Sequence, residues 1–126
     1  MTTTAHKAEW LRNNLKKGET YAGLILGQNG QPDHHLVLIK GEADKLTWKE
    51  AIAWAKKAGG ALPTRREQRL LWVNAKDQFQ PSWYWSSEQH AANSGYAWVQ
   101  YFTDGSQNSY GTNGRLRARA VRRVAI

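Results

Sequence analysis

Tyr84-Trp-Ser-Ser-Glu88, Tyr96-Ala-Trp-Val-Gln-Tyr-Phe102 and Arg117-Ala-Arg-Ala-Val-Arg-Arg-Val124 are three β-forming runs near the end of a 126-residue chain. The second run leads into Asp104-Gly105, a pair suited to the tight turn of a hairpin when strand formers stand on both sides. The C-terminal region therefore reads as a small antiparallel sheet.

Upstream the pattern becomes helical. Thr47-Trp-Lys-Glu50 and Thr64-Arg-Arg-Glu67 both fit the capping box. In that device the threonine oxygen accepts from the backbone N–H three residues on, and the glutamate accepts from the threonine's own N–H. They predict one helix running to about Ala58, before Gly59-Gly60, and a second running to about Asp77, with Leu70, Leu71 and Trp72 on its buried side. Residues 21–26 and 35–39 are predicted strands of a first hairpin, joined by a 27–33 loop whose Asn29-Gly30 accepts positive φ. Their nearly unbroken apolar residues predict burial on both faces. Residues 5–17 form an amphipathic pattern, with Trp10, Leu11 and Leu15 on one side and Gly18 as the break. The expected architecture is α+β in a single domain over 1–126: two helices packed on small antiparallel sheets, with a short helical extension over 1–18.

Four ordered motifs in residues 20 to 124 resemble those of a C-type-lectin-like family of bacterial and phage proteins. They are Leu62-Pro63-Thr64, Tyr84-Trp-Ser-Ser87, the aromatic strand ending at Asp104-Gly105, and the Arg/Val alternation of the last strand. The same scaffold serves in collagen-like bacterial adhesins and, more distantly, in phage receptor-binding proteins and formylglycine-generating enzymes. The resemblance implies a C-type-lectin-like fold and a phage or prophage origin. A scaffold does not by itself fix a function.

Seven Trp, five Tyr and two Phe supply a compact aromatic interior despite a low mean hydropathy. Cysteine is absent, which excludes disulfides, thiolate metal sites and the cysteine chemistry of the formylglycine-generating relatives. It suits a reducing bacterial cytoplasm or a phage virion. The opening residues lack the apolar core of a signal peptide, and no run approaches membrane-spanning length, so no membrane partner is expected. The formal net charge of +8 attracts polyanions. Two kinds of partner follow: a protein or anionic polymer bound by a recognition module, or nucleic acid and its handling machinery engaged by a small basic phage effector inside the host.

Several tempting motifs carry little chemistry. Gln31-Pro32-Asp33 matches a tripeptide used by galactose-binding C-type lectins, but here it precedes both helices and has no oxygen-rich acidic strand to complete a calcium shell, so it reads as a turn. His34 and His35 point to opposite faces of a strand and cannot readily share one ion. Ser86, Ser87 and Glu88 with His90 lack an orienting acid and a nucleophile elbow, so no catalytic residue, cofactor or metal site is expected and the chain reads as non-enzymatic. The Tyr, Ser, Asn and Gly of residues 86–95 and 106–114 have the composition of adaptable recognition loops. The expected ligand-binding set is Ser87, Glu88, His90, Asn93, Gln107, Asn108, Tyr110, Asn113, Arg115 and Arg117. Arg115, Arg117 and Arg119 alternate with small or apolar residues, forming either a structural arginine ladder or an anion-binding face.

Because these residues assemble neither a calcium nor a zinc ligand set, the fold should not depend on metal. EDTA is expected to leave the thermal midpoint unchanged, and a fall of more than a few degrees that calcium or zinc restores would contradict this.

Overall fold

Both capping boxes close as their spacing requires. Glu50 N donates to Thr47 Oγ1 (3.3 Å) and Thr47 N to Glu50 Oε1 (2.9 Å); Glu67 N donates to Thr64 Oγ1 (3.2 Å) and Thr64 N to Glu67 Oε1 (2.9 Å). These caps start two of the three α-helices found among the described residues of this computed structural model, which are residues 3–126. Residues 1 and 2 of the expected extension lie outside them.

In chain order the elements are α1 (Thr3–Asn14), β1 (Thr20–Ile25), β2 (His34–Leu38), β3 (Ala43–Leu46), α2 (Trp48–Lys57), α3 (Arg65–Ala75), β4 (Trp83–Gln89), β5 (Tyr96–Tyr101), β6 (Gln107–Gly111), β7 (Leu116–Ala118) and β8 (Val121–Ala125). A 3-10 turn over Lys76–Gln78 carries α3 on past its expected end. The fold is α+β. A three-stranded antiparallel sheet has the order β1-β2-β8, and a five-stranded sheet has the order β3-β7-β4-β5-β6. The second sheet is mixed, because β4 and β7 run parallel at Tyr84 and Arg117.

Three features depart from the sequence reading. The final arginine-rich run is two strands, since the chain leaves one sheet after Ala118 and joins the other at Val121. The strand β3 has no sequence signature. It pairs with β7 only at Ala43–Ala118 and Leu46–Leu116, around a Lys45 at φ 57°. Burial on both faces holds for β2, whose Leu36, Val37 and Leu38 are fully buried, and fails for β1. There an irregularity between Tyr21 and Gly23 directs Ala22 and Ile25 inward and leaves Leu24 outward.

Helix α3 lies directly over this irregular stretch. Gly23 has φ 126°, and a Cβ there would sit 3.2 Å from the Asn74 amide nitrogen and 3.3 Å from Leu70. Glycine therefore permits both the backbone angle and the close approach. Asn74 Nδ2 donates to the Ala22 carbonyl at 2.6 Å, so the helix satisfies a group on the sheet's edge.

The core has two halves. Ala22, Leu36, Leu38, Leu71, Tyr84, Phe102 and Val121 pack α3 against the three-stranded sheet, whereas Trp85, Val99, Ala97 and Ala118 pack against Ala51 and Ala55 of α2. The buried amides of Gln68 and Gln100 hold the halves together. Gln68 Nε2 donates to the carbonyls of Tyr84 and Trp85, both at 3.2 Å, and Gln100 Nε2 donates to the Gln68 carbonyl at 2.6 Å. Trp10 places α1 against Tyr21 and His35, with ring centroids 5.1 and 4.3 Å away. Among the described residues, no helix is long and apolar enough to cross a membrane.

Trp85 is fully buried, and its Nε1 donates to the Leu46 carbonyl at 2.8 Å. Truncating such an indole leaves a large cavity, and Trp85→Ala is expected to cost about 3–5 kcal/mol in denaturant unfolding. A variant that unfolds cooperatively at the wild-type midpoint would remove Trp85 from the core.

Candidate functional site

The cap of α3 sets the site's geometry. With Thr64 and Glu67 fixed, Arg65, Arg66 and Arg69 occupy the first turns of the helix, facing the 27–33 loop across an open cleft of about 860 Å³. The loop is closed by its own hydrogen bonds: Gly27 N donates to Asp33 Oδ1 (2.7 Å) and Gln31 N to the Gln28 carbonyl (3.0 Å). Asn29 and Gly30 take φ values of 54° and 82°, which these two residue types tolerate best.

Glu67 lies beneath the cleft, 1% exposed. Arg123 of β8 donates to both its oxygens (2.7 and 2.8 Å), Thr64 N donates at 2.9 Å, and His34 Nε2 of β2 lies 2.8 Å from Oε2. Burial pushes this carboxyl up, but the Arg123 hydrogen bonds and charge, the Thr64 N–H and His34 together outweigh it and leave the pKa below the ordinary glutamate value. The ion pair is therefore maintained at neutral pH.

Arg65 forms one wall. Its backbone N–H donates to Glu88 (2.7 Å), its Nε to Gln107 Oε1 (3.1 Å), and its guanidinium carbon sits 3.6 Å from the centre of the Trp98 ring. Gln107 Nε2 donates back to the Arg65 carbonyl (2.8 Å) and to Gln100 Oε1 (3.0 Å). On the rim, Arg66 donates to the Leu26 carbonyl (3.0 Å). The Arg69 side chain is exposed and has no hydrogen-bond or ion-pair partner among the described residues. The cleft thus offers cationic groups that no carboxylate neutralises, interrupted by Asp33 and Glu88.

Of the residues singled out from sequence, Glu88 and Gln107 line this cleft. His90 does not line it; the ring stacks on Trp98 (5.3 Å), and its Nδ1 accepts from Ala92 N. Ser87 is exposed, its N–H donating to the Pro63 carbonyl, and Asn93 Oδ1 accepts from Gly95 N within its own turn. The expected 106–114 loop is mostly the strand β6, so its side chains alternate between faces. Gln107 turns toward α3. Asn108 and Tyr110 turn to the opposite face, where Tyr110 stands half-exposed with its ring 6.3 Å from Trp85 and close over Gly114. Asn113 is exposed in the following turn. The single recognition surface expected from these residues is therefore divided by the sheet.

The alternating arginines are engaged within the fold. Arg115 pairs with Glu50 (3.0 Å), Arg117 with Glu42 (2.6 Å) and Asp44 (3.5 Å), and buried Arg119 donates to the carbonyls of Gln78 and Ile39. Each of the three guanidinium groups thus has an acceptor on a neighbouring element, and Arg115 remains largely exposed. Sequence reasoning passed over Arg69, Arg123, His34 and the 27–33 loop as site residues. A capped helix beginning with three nearby arginines was a usable signal, but the loop that faces it comes from distant sequence.

Among the described residues, no group of three His, Cys, Asp or Glu side chains could hold a metal ion. No protein-family model matches the chain, and no curated protein matches it.

Glu67→Gln removes the charge that Arg123 and His34 face and is expected to cost about 1.5–3 kcal/mol at pH 7, as for a lost hydrogen bond to a charged group. A carboxylate whose folded pKa is depressed contributes its stability above the unfolded value of about 4.3 and loses it as pH falls through the lower folded value. The gap between wild type and Glu67→Gln in urea unfolding should therefore be full above about pH 5 and close progressively in more acidic solution. A gap that stays constant down to strong acid would mean that folding leaves the Glu67 pKa unshifted.

Proposed function

We propose that this chain is a non-enzymatic, calcium-independent binding module on a C-type-lectin-like scaffold, of phage or prophage origin, acting in a bacterial cytoplasm or on a virion. Its partner is a protein or an anionic polymer, taken at the cleft between α3 and the 27–33 loop. The scaffold reading is supported by the four ordered motifs together with the α+β arrangement of two capped helices on two sheets. The observation that carries the binding reading is the contrast among arginines. Arg115, Arg117, Arg122 and Arg123 each pair with a carboxylate, whereas Arg66 reaches only a backbone carbonyl and Arg69 none, both beside the open cleft. Uncompensated guanidinium groups at a concave surface attract anionic groups and can hold them bidentately.

The competing reading, a basic effector acting on nucleic acid, draws on the same charge. Binding of that kind would rest on phosphate contacts and collapse between about 50 and 200 mM salt. A pull-down from bacterial host lysate separates the two, using wild type and an Arg66→Glu/Arg69→Glu double variant, with and without nuclease. The expected result is a partner retained after nuclease treatment and bound at least tenfold more weakly by the double variant, a loss of about 1.4 kcal/mol or more. Equal capture by both proteins would move the binding surface away from the cleft, and capture abolished by nuclease would favour the effector.

A further inference from the structure

Val73, Leu26 and Leu24 are 68%, 59% and 44% exposed, and they lie together. On α3, Arg66, Arg69, Leu70 and Val73 follow the i, i+3, i+4, i+7 spacing that puts residues along one face of a helix. Leu24, Ile25 and Leu26 run beside that stripe, and the seven residues line one shallow groove of about 320 Å³. The groove continues into the arginine-lined cleft, since Ile25, Leu26, Arg66 and Arg69 border both. The result is one strip, aliphatic at one end and cationic at the other. Exposed aliphatic residues scattered singly are ordinary on a protein surface, but a contiguous set marks a surface that meets something.

The form of contact is restricted by the neighbouring backbone. β1 is an edge of its sheet, and an open edge invites an added strand. Here Asn74 donates to the Ala22 carbonyl and Arg66 to the Leu26 carbonyl, so those acceptors are already taken. Recognition along the strip therefore falls to side chains.

We propose that the strip docks a protein segment carrying acidic side chains next to apolar ones, with its carboxylates over Arg66 and Arg69 and its apolar residues on Leu24, Leu26, Leu70 and Val73. This rests on the reading of the cleft as a binding site and gives the chemistry of its partner. Charge complementarity selects the acidic end: Arg69 has no partner, and the whole chain carries +8. The aliphatic end selects protein over nucleic acid. Single-stranded nucleic acid is held by stacking bases on aromatic rings along a basic groove. This groove offers aliphatic carbons instead, and Asp33 and Glu88 stand in the adjoining cleft where a continuous phosphate chain would run. A segment with a few discrete carboxylates can place them at the arginines and keep clear of both acids. The Arg66 guanidinium is already oriented by the Leu26 carbonyl, which lowers the ordering cost of pairing with it.

The test uses the full chain, immobilised and panned against displayed random peptides about a dozen residues long, with enriched peptides then measured by fluorescence anisotropy. The expected peptides mix Asp or Glu with Leu, Ile or Phe. Their affinity falls at least tenfold for Arg69→Glu and, separately, for the charge-neutral double variant Leu26→Gln/Val73→Gln. Ile52→Gln, which removes an exposed aliphatic residue from α2, leaves binding unchanged. Circular dichroism melts establish that each variant is folded. Enrichment of basic or wholly polar peptides, no enrichment, or binding indifferent to Leu26→Gln/Val73→Gln would overturn the proposal. So would a mixed-sequence single-stranded DNA of similar length that binds more tightly than every peptide. If the lysate partner still depends on Arg66 and Arg69 while panning yields no acidic and apolar peptide, this inference falls alone. If the lysate partner is also indifferent to them, the cleft reading falls with it.

Discussion

One buried carboxylate holds the arrangement together. Glu67 closes the capping box of α3, and the same two oxygens receive Arg123 from β8 and face His34 from β2. An unpaired carboxylate at 1% exposure would cost several kcal/mol, so the helix is stable in this position only while both strands present those groups to it. The N-terminus of α3 is thereby fixed to the three-stranded sheet. The consequence reaches the surface: with Glu67, Gln68 and Leu71 turned inward, Arg66, Arg69 and Val73 face solvent, and Leu70 beside them is half-buried against the core.

Much of the arginine charge is engaged within the fold. Arg122 is held by Glu19 and the Asn14 carbonyl, Arg117 by Glu42 and Asp44, and Arg119 by backbone carbonyls beside Phe79. Glu42 also accepts from the Tyr84 hydroxyl at 2.5 Å, and burial together with that carboxylate pushes the Tyr84 pKa well up, so the phenol remains a donor. These contacts join the last strands to the rest of the fold. An exposed pair such as Arg115–Glu50 contributes little to stability. Of the arginines, Arg66 and Arg69 are left without a carboxylate where α3 meets the 27–33 loop, while Arg12 and the exposed lysines carry unpaired charge elsewhere on the surface.

Local signals were legible where a few neighbouring residues carry the whole interaction. The two capping boxes, the first hairpin and the turn at Asp104-Gly105 each depend on side chains and backbone within a few positions of one another. The strand β3 could not be read, because only its pairing with β7 makes it a strand. Residues 106–114 have the composition of a recognition loop, yet pairing with β5 makes most of them a strand and sends Gln107 and Tyr110 to opposite faces. Leu24 and Leu26 looked like core for the opposite reason: their apolar character is local, while their burial depends on where a distant helix crosses the sheet.

The sequence by itself determined the α+β class, the beginnings of α2 and α3, the hairpins, the cysteine-free aromatic core and the basic balance, since each follows from residue chemistry or short-range geometry. Tertiary structure alone decided which arginines are neutralised, how the final run divides between two sheets, and that a loop near residue 30 faces a helix beginning at residue 65. Those outcomes turn on long-range pairing and burial, in which a guanidinium or a leucine acquires its role from groups that are distant in the chain and adjacent only after folding.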